Sequence, residues 1–176
     1  MNESSNAASI PPDDPKRKLA LVRPDDKKLR HIALAGDTYT ILLTGGDTGG
    51  RYCLIDMHIP PGGGPAPHRH DFEEMFSVLE GEIEVTFRGE KSIARAGETV
   101  NVPANAPHSF RNASDRPARL LCVCSPPGLE EFFLAVGDPV ASRTAPPPKL
   151  SGAEQDERRA KAEALAPQYR AQLLYS

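Results

Sequence analysis

Tryptophan is absent from the 176 residues, and aromatics make up only 6%. Such a chain offers no stacking platform for single-stranded nucleic acid. Excess positive charge is missing too. The net charge is −3, and residues 31–150 carry 10 Lys/Arg against 15 Asp/Glu. Residues 1–30 carry 7 against 5, too small an excess for a nucleic-acid footprint. No apolar run nears the ~20 residues that a membrane helix needs. The opening MNESSNAASIPPDDP has neither a basic n-region nor an apolar h-region, so no secretory signal is expected. Cysteine is scarce: Cys53, Cys122 and Cys124, an odd count with two of them only two apart. That is no disulfide framework, and a reducing cytoplasm is the expected location.

Proline and glycine are plentiful, at 18 and 14 residues. Both are rejected by helix interiors, so a helical bundle is excluded and many short strands joined by turns are expected. Residues 1–30, with Pro11, Pro12, Pro15 and Pro24, read as an arm with little regular structure. Alternation of period two then marks strands. It runs through Tyr39, Ile41 and Leu43, through Cys53, Ile55, Met57 and Ile59, and through Ile83, Val85 and Phe87. GGDTGG (45–50) reads as a turn, and Arg88 to Lys91 as a hairpin turn. Val100 and Val102 mark a short strand, Ser109 to Asn112 another, and Leu120 to Cys124 reads as a strand buried on both faces. The expected fold is all-β, a sandwich or barrel over 31–125, with C-terminal helices and a linker over 126–176.

Within that last segment the period changes. Leu129, Phe132, Phe133 and Val136 lie at i, i+3, i+4 and i+7, the stripe of a short helix. Residues 138–150 read as a linker. Ser151-Gly-Ala-Glu154 is a capping box for a second helix, which Pro167 ends.

The chemistry lies in four residues. His68 and His70 are two apart, so on a strand they share a face, and Glu74 keeps the same parity. His108 follows the turn Pro103-Ala-Asn-Ala-Pro107. Three imidazoles and a carboxylate converging from separate segments form a ligand set for one divalent transition metal: Fe, Mn, Co, Ni, Cu or Zn. Glu73 competes with Glu74 but has the opposite parity, which only a bulge would invert. His58 lies on the polar face of its strand and His31 precedes the barrel, so neither is assigned as a ligand. Cys122 and Cys124 read as inert packing. Phe72, Phe76, Val78, Ile83, Val85, Phe87, Val100 and Val102 are the expected barrel lining.

The spacings resemble the paired motifs of the cupin superfamily. Gly62, His68-Arg69-His70, Glu74 and Gly81 match the first motif; Gly97, Pro103-Ala104-Asn105, His108 and Asn112 match the second. Asn105 replaces the usual glycine, and asparagine tolerates positive φ better than other substitutes. One motif pair implies one small jelly-roll barrel. The helix beginning Pro127-Gly-Leu-Glu-Glu-Phe-Phe is similar to that of quercetin-dioxygenase-like single-domain cupins.

The resemblance implies a metal-dependent oxygenase acting on a small oxygenated molecule such as an enol, diketone or phenol, with O₂ as a second reactant. His68, His70, Glu74 and His108 would hold the metal, and Glu74 would also serve as a base. The alternatives are a ligand-sensing cupin that binds metal without turnover, and a Lewis-acid isomerase, decarboxylase or hydrolase. Sheet edges need covering, and the apolar Leu19-Ala-Leu-Val22 of the arm is a candidate to cover one on a second copy, giving a homodimer.

Overall fold

The period-two segments assemble into two antiparallel sheets in the computed structural model, which describes residues 10–24 and 26–174. The first nine residues of the expected arm lie outside the described residues. The seven-stranded sheet runs, edge to edge, β11 (Asp138–Val140), β1 (Arg30–Leu34), β2 (Asp37–Leu43), β3 (Cys53–Ile59), β10 (Ala118–Ser125), β5 (Glu73–Glu80) and β8 (Thr99–Val102). The five-stranded sheet runs β12 (Ala171–Leu173), β4 (His68–His70), β9 (His108–Arg111), β6 (Glu82–Phe87) and β7 (Glu90–Arg95). This is the mostly-β, two-sheet architecture expected, with few helices.

Alternation places one residue of each pair between the sheets. Ile55, Met57 and Ile59 of β3, Leu120 of β10, Phe76 and Val78 of β5, and Ile83 of β6 are all buried there. Each such side chain contributes roughly 1.5–3 kcal/mol by leaving water. The half-buried residues between them, such as Met75 and Ser77, turn outward. Leu120 to Cys124 follows the same alternation rather than being buried on both faces, because Leu121 and Val123 are only half-buried. On the outer face of β3, Asp56 is nonetheless buried under Arg119 and Arg143, whose guanidinium nitrogens lie 2.6 and 3.0 Å from its Oδ2.

Several segments depart from the sequence reading for local reasons. GGDTGG is not a simple turn: Gly45–Thr48 is a single helical turn, α1. Thr44 and Asp47 form a reciprocal capping box around it, and Gly49 ends it in the left-handed region at φ 66°. The hairpin turn is tighter than expected. Only Arg88 and Gly89 lie in it, both at positive φ, which matches strand twist in a two-residue loop. His31 lies on β1, where its Nδ1 pairs with Thr40 Oγ1 at 2.8 Å, rather than ahead of the sheets. Part of the expected linker is ordered as β11, paired with β1.

The apolar stripe of Leu129, Phe132, Phe133 and Val136 is buried on α2 (Leu129–Val136). Ser151 caps α3 (Gly152–Leu165) with Glu154 in the reciprocal position, and Pro167 falls in the 3₁₀ turn that follows. The chain then returns to the histidine strand. Ala171 and Leu173 of β12 pair with His70 and His68. Among the described residues, no helix is long and apolar enough to cross a membrane.

Candidate metal centre

Two neighbouring strands of one sheet carry the histidines, and the other sheet carries the carboxylate. His68 of β4 stands opposite His108 of β9. Between His70 and Glu73 the chain passes from one sheet to the other, and Glu74 enters from β5. Phe72 fills this crossing: its ring stacks parallel on His70 at 3.9 Å between centroids. The donor atoms of His68, His70, Glu74 and His108 all lie within 4.8 Å of one another. His70, Glu74 and His108 are buried, and His68 is half-buried.

Each imidazole is oriented through its Nδ1. His68 Nδ1 lies 2.9 Å from the Ala66 carbonyl, His70 Nδ1 3.0 Å from that of Phe72, and His108 Nδ1 2.9 Å from that of Ala106. A carbonyl only accepts, so Nδ1–H must donate in all three, and in the neutral tautomer each Nε2 carries its lone pair. Two of these nitrogens, those of His70 and His108, then face Glu74 Oε2 at 2.9 and 3.1 Å. Lone pairs opposed at such distances need a cation between them, either a proton or a metal ion. Donor-to-donor spacings of this size are also those around an ion with bonds of ~2.1 Å. The residues present therefore fit a metal.

Glu74 and His68 agree with this electrostatically, and His108 holds its cation through Glu74. Burial would raise the Glu74 carboxyl, but hydrogen bonding to His108 and His70 outweighs it and holds the group well below the usual carboxylate range. Burial, with His108 nearby, pushes His68 down to about 4, favouring the neutral imidazole. His108 is raised: burial would lower it, and Glu74 overrides that effect.

Glu73 points away from this centre. It is exposed, accepting from Asn101 Nδ2 at 3.0 Å and the Ala104 backbone at 3.1 Å. Neither His31 nor His58 joins the cluster. Asn105 adopts φ 67°, and its N–H donates to the His70 carbonyl at 2.6 Å, so this turn braces the histidine strand.

A cavity of about 540 Å³ opens above the cluster, with His68, His70 and Glu74 in its wall. Tyr39, Met57, Phe76, Phe110, Phe132 and Phe133 supply much of the apolar remainder, and Asp138, Gln155, Arg158 and Arg159 add polar groups. Helix α2 is thus a wall of the cavity.

Sequence reasoning missed one contact of the centre and one buried carboxyl elsewhere in the fold. Cys122 Sγ lies 3.4 Å from Glu74 Oε1, and burial pushes its thiol up to about 12, so the thiol stays protonated. Asp37 is fully buried at the start of β2, accepting from Tyr39 Oη at 3.0 Å and Gly64 N at 3.1 Å. The parity of Cys122 and Cys124 was visible in the sequence, but their facing Glu74 depends on the pairing of β10 with β5.

Residues 55–124 match the cupin domain family. Quercetin 2,3-dioxygenase of Bacillus subtilis is 28% identical over 153 residues, covering 86% of this chain and 44% of that protein. Polyketide synthase CurC of Streptomyces cyaneus is 37% identical over 94 residues, covering 52% of this chain and 60% of that one. The chain thus spans less than two thirds of these curated relatives. Among solved structures, the polyketide cyclase RemF of Streptomyces resistomycificus superimposes with a TM-score of 0.54 at 22% identity, covering 81% of this chain and 94% of that one. A predicted oxalate decarboxylase of Thermotoga maritima gives 0.54 at 21% identity, with 60% and 98% covered. At these identities the structures speak to the fold alone.

Proposed function

This chain belongs to the cupin superfamily with a single cupin domain, and from that premise we propose that it is a metal-dependent oxygenase of small, partly apolar, oxygenated molecules of the enol, diketone or phenol class. The observation that carries the reading is the set of imidazole Nε2 atoms turned, by their Nδ1 bonds, toward one carboxylate beneath an apolar cavity. The similarity to a quercetin 2,3-dioxygenase over most of the chain supports the reaction class.

His68, His70, Glu74 and His108 would hold the ion. When bound, a divalent transition metal supplies Lewis acidity toward a substrate oxygen and, where it is redox-active, electron exchange with O₂. Three neutral imidazoles and one carboxylate leave the ligand set a single negative charge short of balancing a divalent ion. An anionic enolate or phenolate oxygen is therefore favoured at the centre. Phe76, Phe110, Phe132 and Phe133 exclude water around it. Glu74 is the wall carboxylate that lies beside the three histidines, and it would take the substrate proton.

The test loads the protein in turn with Fe, Mn, Co, Ni, Cu and Zn and measures oxygen uptake with a panel of enols, diketones and phenols. Uptake with at least one pairing is expected. Turnover under nitrogen would favour a Lewis-acid isomerase, decarboxylase or hydrolase instead, and binding without turnover a ligand sensor. Glu74→Gln separates the two roles of that residue. It should lose oxygen uptake by a larger factor than it loses metal, whereas unchanged activity per bound metal would make Glu74 a ligand only.

A further inference from the structure

Resting on the metal-centre reading above, we propose that the Cys122 thiol, backed by Cys124, is a positioning group for Glu74, pinning Oε1 so that Oε2 alone is presented to the histidines. Cys122 Sγ lies 3.4 Å from Oε1, and Cys124 Sγ lies 3.9 Å from the same oxygen. The two sulfurs are 3.6 Å apart. Both residues sit on one face of β10, in register with Phe76 and Glu74 of β5, so strand pairing rather than a mobile loop sets the contact. All three side chains are buried. Among the described residues, these thiols are the hydrogen-bond partners of Oε1, while Oε2 meets the Nε2 atoms of His70 and His108.

The two oxygens of one carboxylate thus have different tasks. A carboxylate free to rotate about its last torsion can engage a metal through both oxygens and occupy two positions. A carboxylate held from behind by S–H donors engages through one, and the position saved is available to a substrate oxygen. A thiol is a weak donor. In this buried setting, however, its removal leaves Oε1 with only the more distant Cys124 thiol at 3.9 Å, so the orientation of the carboxylate is held far less firmly.

The test compares Cys122→Ala, which removes the donor, with Cys122→Ser, which keeps one. Affinity for Co(II) and Mn(II) is measured by competition with a chromophoric chelator, and the visible absorption of the Co(II) form reports coordination number. Cys122→Ala should weaken binding about 10–100-fold, the usual effect of removing a group that orients a metal ligand. Its Co(II) bands should lose intensity as the second oxygen engages. Cys122→Ser should recover most of the affinity and the original bands. Equal weakening in both variants would mean that only the packing volume matters, and would overturn the proposal. So would wild-type affinity and bands in Cys122→Ala while His70→Ala has lost the metal, an outcome that leaves the centre itself standing. A wild type that binds neither ion would remove the centre and the pinning together. Independently of any metal, the infrared difference between wild type and Cys122→Ser should show a hydrogen-bonded S–H stretch. A band at the unbonded frequency would refute the contact.

Discussion

The backbone N–H of Gly62 donates to the carbonyl of Asn112 at 2.8 Å, and the N–H of Asn112 donates back to Gly63 at 2.9 Å. The first residue of one histidine motif is therefore fastened to the last residue of the other. Gly64, which follows, leaves no room for a side chain: a Cβ there would meet the Phe110 carbonyl. The loop from Pro60 to Pro67 is clamped against β9 before it delivers His68.

Asn112 is the keystone of that clamp. It is fully buried, and its Nδ2 donates to the carbonyls of Ile59 at 2.9 Å and Arg116 at 2.8 Å, while Oδ1 accepts from Ser114. Asn112→Ala should destabilise the protein by about 2–3 kcal/mol, because buried carbonyls lose their donors. Urea denaturation measures this, and a loss below about 0.5 kcal/mol would mean that the clamp holds without the side chain.

Asn105 is the second backbone device. At φ 67° it occupies the left-handed region while bonding the His70 carbonyl. Asn105→Gly should be neutral or mildly stabilising, and Asn105→Val should cost about 1–2 kcal/mol, the strain of a β-branched residue at positive φ. Equal midpoints for the two variants in thermal unfolding would count against the strain.

Much of this site was legible in the sequence because its signals are local. Parity two puts His68 and His70 on one face of β4, while Glu74, assigned by the same parity, reaches them from β5 of the other sheet after the chain crosses over; spacing i, i+3, i+4, i+7 gives the wall helix; Ser151 and Glu154 announce their cap. What escaped was set by strand pairing across long stretches of chain. Cys122 is 48 residues from Glu74, and its contact exists only because β10 lies beside β5. The same holds for β12 alongside the histidine strand, and for Asp37 reaching Gly64 27 residues on. The small α1 was readable in principle, since Thr44 and Asp47 are a capping box, but the surrounding glycines suggested only a turn.

Asp37 links stability to pH. Burial raises its carboxyl to about 7 from 3.8, against the lowering effect of bonds from Tyr39 and Gly64, and its Oδ1 has no hydrogen-bond partner among the described residues. The native state therefore holds a proton that the unfolded chain releases. The stability it brings is complete below the unfolded value and is lost as pH rises toward about 7. Relative to Asp37→Asn, which does not titrate, the wild type should lose roughly 3–4 kcal/mol between pH 4 and pH 8. Parallel denaturation profiles for the two proteins would refute this linkage.

The described part of the arm carries unburied apolar residues. Ile10, Leu19 and Leu21 are 93%, 92% and 61% exposed. Packed on a sheet edge of a second copy, they would leave water, and a homodimer is the expected state. Light scattering at micromolar concentration tests it. A monomer removes the dimer, and an unchanged dimer after deletion of residues 1–24 removes the role of the arm.

The metal assignment is tested by comparing the two adjacent carboxylates and the histidines in one experiment. An ion that binds only the folded state stabilises it by about 2.7 kcal/mol at a hundredfold excess over its Kd. Wild type and Glu73→Ala should share this gain, since Glu73 is exposed and bonded to Asn101 and Ala104 on the outer side. His68→Ala, His70→Ala and His108→Ala should each lose most of it, because each removes one Nε2 from a set whose members lie within 4.8 Å of one another. The measurement is the shift in unfolding midpoint on adding Mn(II) or Co(II), with bound metal determined on the same samples. Stoichiometric metal retained by His70→Ala would place the centre elsewhere. Metal lost from Glu73→Ala, with its fold intact, would give the ligand role to the outer carboxylate and require β5 to shift by one residue in solution.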